Sequence, residues 1–217
     1  MILILPYQMG CRQVANAMIS DQNTRIVVLG GGGHAKVVVD TITYLDAIEC
    51  IGVLDNDPSL WGTCISGAPI LGNDDIIPDL ISQGVSGFIV GIGSIGDNKP
   101  REYLFKLGIR YGLKPVSVIH PSAVCSQFSV IGRGSVVFPL AVINSSAELG
   151  INVIVNTSAI VEHDCYLGDH SHVASGGRLC GAVELGDRAH VGAGATVLQG
   201  VIVGTGAIVG AGSVVVD

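Results

Sequence analysis

Six histidines, His34, His120, His163, His170, His172 and His190, are the side chains of this 217-residue chain best suited to exchange a proton near neutral pH. His163 stands out, because Glu162 and Asp164 flank it and either carboxylate can fix the imidazole tautomer. An imidazole held in this way can deprotonate an amine or a hydroxyl; the alternative reading is a solvated histidine at a turn. A second cluster, Gly30-Gly31-Gly32-Gly33-His34-Ala35-Lys36, contains a Gly-x-Gly-x-x-Ala pattern. Such glycines bring backbone N–H groups and a helix N-terminus to a phosphate, and Asp55 follows at the distance of a ribose-binding acid. A turn that merely joins strand to helix would read the same way. The six cysteines, Cys11, Cys50, Cys64, Cys125, Cys165 and Cys180, show no CxxC spacing and read as thiols rather than as a zinc or disulfide framework.

The two clusters belong to different kinds of structure. Residues 26–29 form an apolar run before the glycines, and a helix is expected after them. Further strands are expected at residues 50–54 and 88–92, a helix at 99–111 and a strand at 114–119. Strands alternating with helices imply a small parallel sheet, a Rossmann-like α/β unit. About 95 residues are short for a full dinucleotide fold, so a mononucleotide-like ligand fits better.

From Ile131 to Val215 every sixth residue is Leu, Ile or Val, fifteen in succession. That period matches neither a helix nor a simple strand, but it does match a solenoid whose short strands turn a corner every six residues. The residue four places on is small, and glycine often follows the aliphatic residue, where it is expected to supply a positive φ. The pattern resembles the hexapeptide acyltransferases, whose β-helix has three faces and 18 residues per coil; the resemblance implies that His163 and Gly181 lie on one line, as do His172 and His190.

Glycine numbers 31, charged residues only 13% and aromatic residues 5%, which argues against disorder and against a helical bundle. A net charge of −7 without a basic block argues against a nucleic-acid partner. No apolar run reaches the length of a bilayer span and no basic n-region precedes residues 1–5, so the expected setting is cytoplasmic, away from membranes.

Taken together, the Gly-Gly-Gly-Gly-His-Ala-Lys turn, the Leu54-Asp55-Asn56 strand end, Ile92-Gly93 and the hexapeptide solenoid resemble the bacterial sugar acyltransferases of the sialic-acid O-acetyltransferase and nucleotide-linked amino-sugar N-acetyltransferase type. The resemblance implies an N-terminal extension at 1–24, a nucleotide-sugar-binding domain at 25–119 and a left-handed parallel β-helix at 120–217. It makes His163 the general base and Asp164 its orienting partner, although many relatives carry the longer Glu at the second position. It assigns the Gly181 N–H to the oxyanion, and places His172, Gly192, Ala193, Gly210 and Ala211 along acetyl-CoA. Gly31, Gly32, Gly33, His34, Asp55, Asn56 and Gly93 fall to the nucleotide sugar, with Lys36 and Arg101 as weaker candidates. His190 is left as structural.

The implied activity is direct transfer of acetyl to the amine of a nucleotide-linked 4-amino-6-deoxy sugar, in a homotrimer with sites between subunits and without a metal. A sugar hydroxyl, as in sialic acid O-acetylation, is the alternative acceptor. Readings of another class are a non-catalytic nucleotide-sugar binder and a zinc site built from solenoid histidines, as in γ-type carbonic anhydrases. Residues 1–24 are expected to be loosely ordered or to pack peripherally, and the repeat stops at Asp217 with no capping segment, as though truncated.

Overall fold

The computed structural model describes residues 23–94 and 97–217; the extension expected at 1–24 lies almost wholly outside them. The first unit is a six-stranded sheet: β1 (Thr24–Leu29), β2 (Ile48–Leu54), β3 (Cys64–Ile65), β4 (Ala68–Gly72), β5 (Gly87–Val90) and β6 (Lys114–Pro115), in the order β3-β4-β2-β1-β5-β6. All its pairings are parallel except the β3–β4 hairpin. Helices α1 (Gly33–Ile42), α2 (Ile77–Ser82) and α3 (Lys99–Arg110) cover it. One face packs Ile26, Val28 and Val53 on the apolar side of α1, and the other packs Leu29, Phe88 and Val90 on α2 and α3. Central strands buried on both faces explain the unbroken apolar runs of β1 and β5.

The second unit is a left-handed β-helix of two-residue strands, from Val118–Ile119 to Val214–Val215, stacked in parallel on three faces with every partner 18 residues away. The aliphatic residue of each repeat points inward, and the small residue four places on, Ala141, Ala147, Ala159 or Ala195 for example, is fully buried at the corner beside it. Residues 114–119, expected as one strand, divide between the units. Lys114–Pro115 pairs with the sheet, whereas Val118–Ile119 pairs with Val136–Val137 and opens the solenoid.

The corner glycines work differently from the expectation. Every sixth residue from Gly134 to Gly212 has a positive φ, and eight of those positions hold Leu140, Ser146, Asn152, Ser158, Asp164, His170, Ala182 and Arg188. The glycine that follows the aliphatic residue serves close approach of successive coils instead. A Cβ on Gly132 would stand 2.2 Å from Gly150 O, and one on Gly192 2.5 Å from Ala211 N.

The first solenoid face carries an outward column of Val118, Val136, Ile154, His172, His190 and Ile208. Its apolar start joins α1 in a common core with Phe138, which seats the α/β unit on that face. Helix α3 grips the adjoining corner: Asn98 Nδ2 donates to Arg188 O at 2.8 Å, and Phe105 packs edge-on against His170. Among the described residues, no helix is long and apolar enough to cross a membrane.

Candidate active site

His163 follows the strand Ile160–Val161 on the second face and immediately precedes the left-handed corner at Asp164, φ 59°. Its Nδ1 donates to Asp164 Oδ2 at 2.8 Å, so the shorter Asp reaches the ring and Nε2 is left without a partner among the described residues. Both side chains are more than half exposed, at 56% and 61%, so the contact orients the ring rather than stabilising the fold. Glu162, the other flanking carboxylate, turns to the preceding coil and accepts from Asn144 Nδ2 at 2.8 Å.

Gly181 lies one coil on, directly beneath the imidazole. A Cβ there would stand 2.7 Å from His163 Cε1 and 2.8 Å from Nε2, so only glycine leaves room for the ring. The ladder passes Gly181 by: Cys180 N donates to Val197 O and Ala182 N to His163 O. Among the described residues no group accepts the Gly181 N–H. A free imidazole nitrogen thus stands beside an unspent backbone donor, the pairing that acyl transfer needs to take a proton and to hold an oxyanion.

A cavity of about 460 Å³ opens on the first solenoid face. His172, Gly192, Ala193, Gly210 and Ala211, the five residues assigned to acetyl-CoA, all line it, together with Ser94, Asn156 and His190. Its walls are small residues and backbone with Ile208 and Val209 at one end and imidazoles at the other. His172 is buried, and its ring is bracketed by Ser94 on Nδ1 and Asn156 Nδ2 on Nε2, the latter at 3.2 Å. Burial, followed by the charge of His190, holds its pKa down to about 3, so the ring is neutral. His190, read from the sequence as structural, stacks edge-on against it with centroids 4.8 Å apart and reaches the cavity wall.

At the glycine turn Gly30 has φ 96°, and a Cβ on it would meet Ile92 Cγ2 at 2.3 Å, so this glycine is required sterically. Gly32 and Gly33 are exposed, and a Cβ on either would meet nothing within 4 Å. Their freedom leaves the N-terminus of α1 bare, with no side-chain cap and no acidic residue in its first turn, as an anion site requires. His34 sits inward of the turn, 5.1 Å from the Phe138 ring, and burial, aided by the charges of Arg101 and His172, lowers its pKa well below the ordinary value. Asp55 accepts from Gly31 N at 2.7 Å and from Asp57 N at 2.9 Å, so each carboxylate oxygen already braces a loop. Asn56 is exposed beside it.

Two weaker candidates separate. Lys36 is exposed, whereas Arg101 is 0% exposed, with Nε and Nη1 committed to backbone carbonyls, and that burial removes it from phosphate binding. Ser94 and Asn156 were not anticipated; Ser94 offers no pattern beyond following Gly93, and its partner His172 is 78 residues away. Within one chain the pieces do not all converge. The cavity lies on the first face, beside the glycine turn, while His163, Asp164 and Gly181 stand at the corner between the second and third. Cys165 Sγ faces the interior and donates to Cys180 O, which leaves it no access to a carbonyl carbon. Among the described residues no group of histidines, cysteines and carboxylates is placed to hold a metal ion.

An α/β unit with a bare glycine turn, docked on a hexapeptide solenoid that carries an oriented histidine and a small-residue cavity, defines a hexapeptide-repeat acyltransferase. Residues 25–107 match the PglD N-terminal domain, 182–217 the bacterial transferase hexapeptide (six repeats) and 158–199 the hexapeptide repeat of succinyl-transferase. The chain is 39% identical to a mutant GDP-perosamine N-acetyltransferase from Caulobacter crescentus, solved in complex with CoA and GDP-perosamine, with 88% of each chain covered and a TM-score of 0.83. It is 33% identical to the acetyltransferase domain of PglB from Neisseria gonorrhoeae, over 89% of this chain and 92% of that one, with a TM-score of 0.80. WeeI from Acinetobacter baumannii is 27% identical over 89% and 97%, with a TM-score of 0.66. No curated protein matches the chain. The chain belongs to the hexapeptide-repeat acyltransferases and, within them, to the nucleotide-sugar N-acetyltransferases.

Proposed function

We propose that this protein transfers acetyl from acetyl-CoA to the amino group of a nucleotide-linked 4-amino-6-deoxy sugar, as a cytoplasmic step in building a surface polysaccharide or glycan precursor. The observation that carries the reading is the His163 ring over Gly181, with Nε2 free and the backbone donor beside it. His163 Nε2 removes the proton as the sugar amine attacks the thioester carbonyl, and Asp164 holds the ring on its Nδ1–H. The Gly181 N–H receives the oxyanion, and the proton on His163 is then available to the departing thiolate. No covalent acyl-enzyme is needed.

The cavity of His172, Gly192, Ala193, Gly210 and Ala211 takes the coenzyme, its small side chains letting backbone groups approach the pantetheine. Gly31, Gly32, Gly33 and His34 take the diphosphate at the bare end of α1, with Asp55, Asn56 and Gly93 at the rim. Because His163 and the cavity stand on different sides of the solenoid, a neighbouring copy must complete the site, and a homotrimer meets that need with three equivalent sites between subunits. A relative solved with CoA and GDP-perosamine supports both ligand classes.

The test is thiol release from acetyl-CoA with a panel of UDP-, GDP- and dTDP-linked 4-amino-4,6-dideoxy sugars, with the product identified by mass. One panel member turned over to its N-acetyl form by the wild type and not by His163→Ala is expected. Equal turnover by the two proteins would overturn the mechanism.

A further inference from the structure

Among the described residues, Ser94 is the one that lines the cavity from the α/β unit. It is 3% exposed; its Oγ lies 2.9 Å and its carbonyl oxygen 3.1 Å from His172 Nδ1. The surrounding bonds fix the proton. Asn156 Oδ1 accepts from Thr157 N at 2.8 Å, which turns the Asn156 amide nitrogen toward His172 Nε2 at 3.2 Å. Nε2 must therefore be the acceptor, and the proton sits on Nδ1, shared between the two Ser94 oxygens.

Ser94 is also held from behind. Arg101, fully buried and with no carboxylate partner among the described residues, donates from Nη1 to Ile92 O at 2.8 Å and from Nε to Asn152 O at 3.2 Å. One guanidinium thereby ties the segment after β5 to the solenoid corner. The residue between, Gly93, lies against His34 of the glycine turn, where an added Cβ would sit 3.5 Å from three atoms of the histidine. An unbroken line of contact runs from His34 through Gly93 and Ser94 to His172, from the phosphate turn to the coenzyme cavity.

We propose that Ser94 is a positioning residue that locks the His172 ring as its Nδ1–H tautomer and couples occupancy of the nucleotide-sugar turn to coenzyme affinity. The coupling rests on the assignment of the two sites above; the tautomer does not. An acceptor that presses on His34 and Gly93 firms the segment bearing Ser94, and a firmer Ser94 pre-orients His172 for the coenzyme. By linkage, the coenzyme must favour the acceptor by the same factor.

Two measurements on the full chain test this. In ligand-free protein labelled with ¹⁵N-histidine, long-range ¹H–¹⁵N spectra should show the His172 proton on Nδ1, in slow exchange in the wild type and exchanging at least tenfold faster in Ser94→Ala. A proton on Nε2, or one averaged over both nitrogens in the wild type, overturns the locked ring. Calorimetry of CoA binding, with and without whichever UDP-, GDP- or dTDP-amino sugar of the panel is turned over, reads the coupling. Coupling factors of about fivefold or more are ordinary for linked sites. We expect one of that size in the wild type, falling to within twofold of unity in Ser94→Ala with the melting temperature unchanged. An equal factor in both proteins, or none in the wild type, refutes the coupling. If CoA fails to bind the wild type at all, the site assignment and the coupling fall together, and the ring measurement still stands.

Discussion

Gly181→Ala isolates the chemistry from the fold. The added Cβ would stand 2.7 Å from His163 Cε1, 2.8 Å from Nε2 and 3.3 Å from Nδ1. Normal carbon contacts lie at about 3.5–4.0 Å, so the ring must retreat by about 1 Å. It is free to do so: His163 is 56% exposed, and swinging it outward costs little beyond its exposed bond to Asp164. Gly181 is not among the positive-φ residues, so alanine brings no backbone strain. The expected change in unfolding free energy is therefore under about 0.5 kcal/mol, as for an ordinary surface substitution. A misplacement of about 1 Å at a reacting group costs on the order of 10²-fold in rate. Steady-state acetyl transfer should accordingly fall about 100-fold in kcat, with the KM for acetyl-CoA within about threefold of wild type and the urea midpoint unmoved. The double variant with His163→Ala should be scarcely slower than His163→Ala alone, because the two changes remove one arrangement. Gly181→Ala with nearly full activity would refute the stacked-base geometry, and a large loss of stability would mean that Gly181 serves the coil rather than the reaction.

Asp164→Asn should keep the ring near its place but reverse its tautomer, with a kcat loss of about 10²-fold or more, visible in the same assay. Gly32→Ala meets no atom and should leave the melting temperature unchanged while raising the KM for the nucleotide sugar several-fold, whereas Gly30→Ala, facing Ile92 at φ 96°, should destabilise the fold by more than about 1 kcal/mol in urea titration. Ala193→Leu, placed in the cavity wall, should raise the KM for acetyl-CoA at least tenfold and leave that for the sugar unchanged. Acid should weaken the fold early. Burial lowers the pKa values of His34, His170, His172 and His190, so the folded chain binds fewer protons than the unfolded chain as pH falls below about 6.5. For His172, with a folded pKa of about 3, stability is whole above about pH 6.5 and is lost toward pH 3, at about 1.4 kcal/mol between pH 7.5 and 5.5. Urea unfolding at those two pH values reads the sum over the buried histidines; a constant midpoint would refute it.

The six-residue period made the solenoid legible because each aliphatic residue has one place to go, the narrow interior where Val137, Val155 and Val173 stack. The same period misled at the corners. Left-handed φ falls on Leu140, Ser158 and Arg188, residues that no turn rule singles out, while glycine marks where coils touch. The β3–β4 hairpin and α2 went unread because two to six residues carry too little periodicity to register. In the site, His163 and Asp164 are neighbours in sequence and Gly181 is one coil away, so spacing alone aligns them. Ser94 and His172 meet only because the α/β unit docks on the first solenoid face, and Arg101 reads as a weaker nucleotide-sugar candidate until α3 is placed against Asn152. Docking of one unit on another leaves no period in either.

The most direct test is a single-turnover experiment with acetyl-labelled acetyl-CoA and the panel of nucleotide-linked amino sugars, comparing wild type with His163→Ala. Label should pass to the sugar nitrogen in the wild type, with no labelled protein at any time, and at least 10²-fold more slowly in the variant. Label trapped on the protein, or transfer at an undiminished rate without His163, would contradict direct transfer by this base.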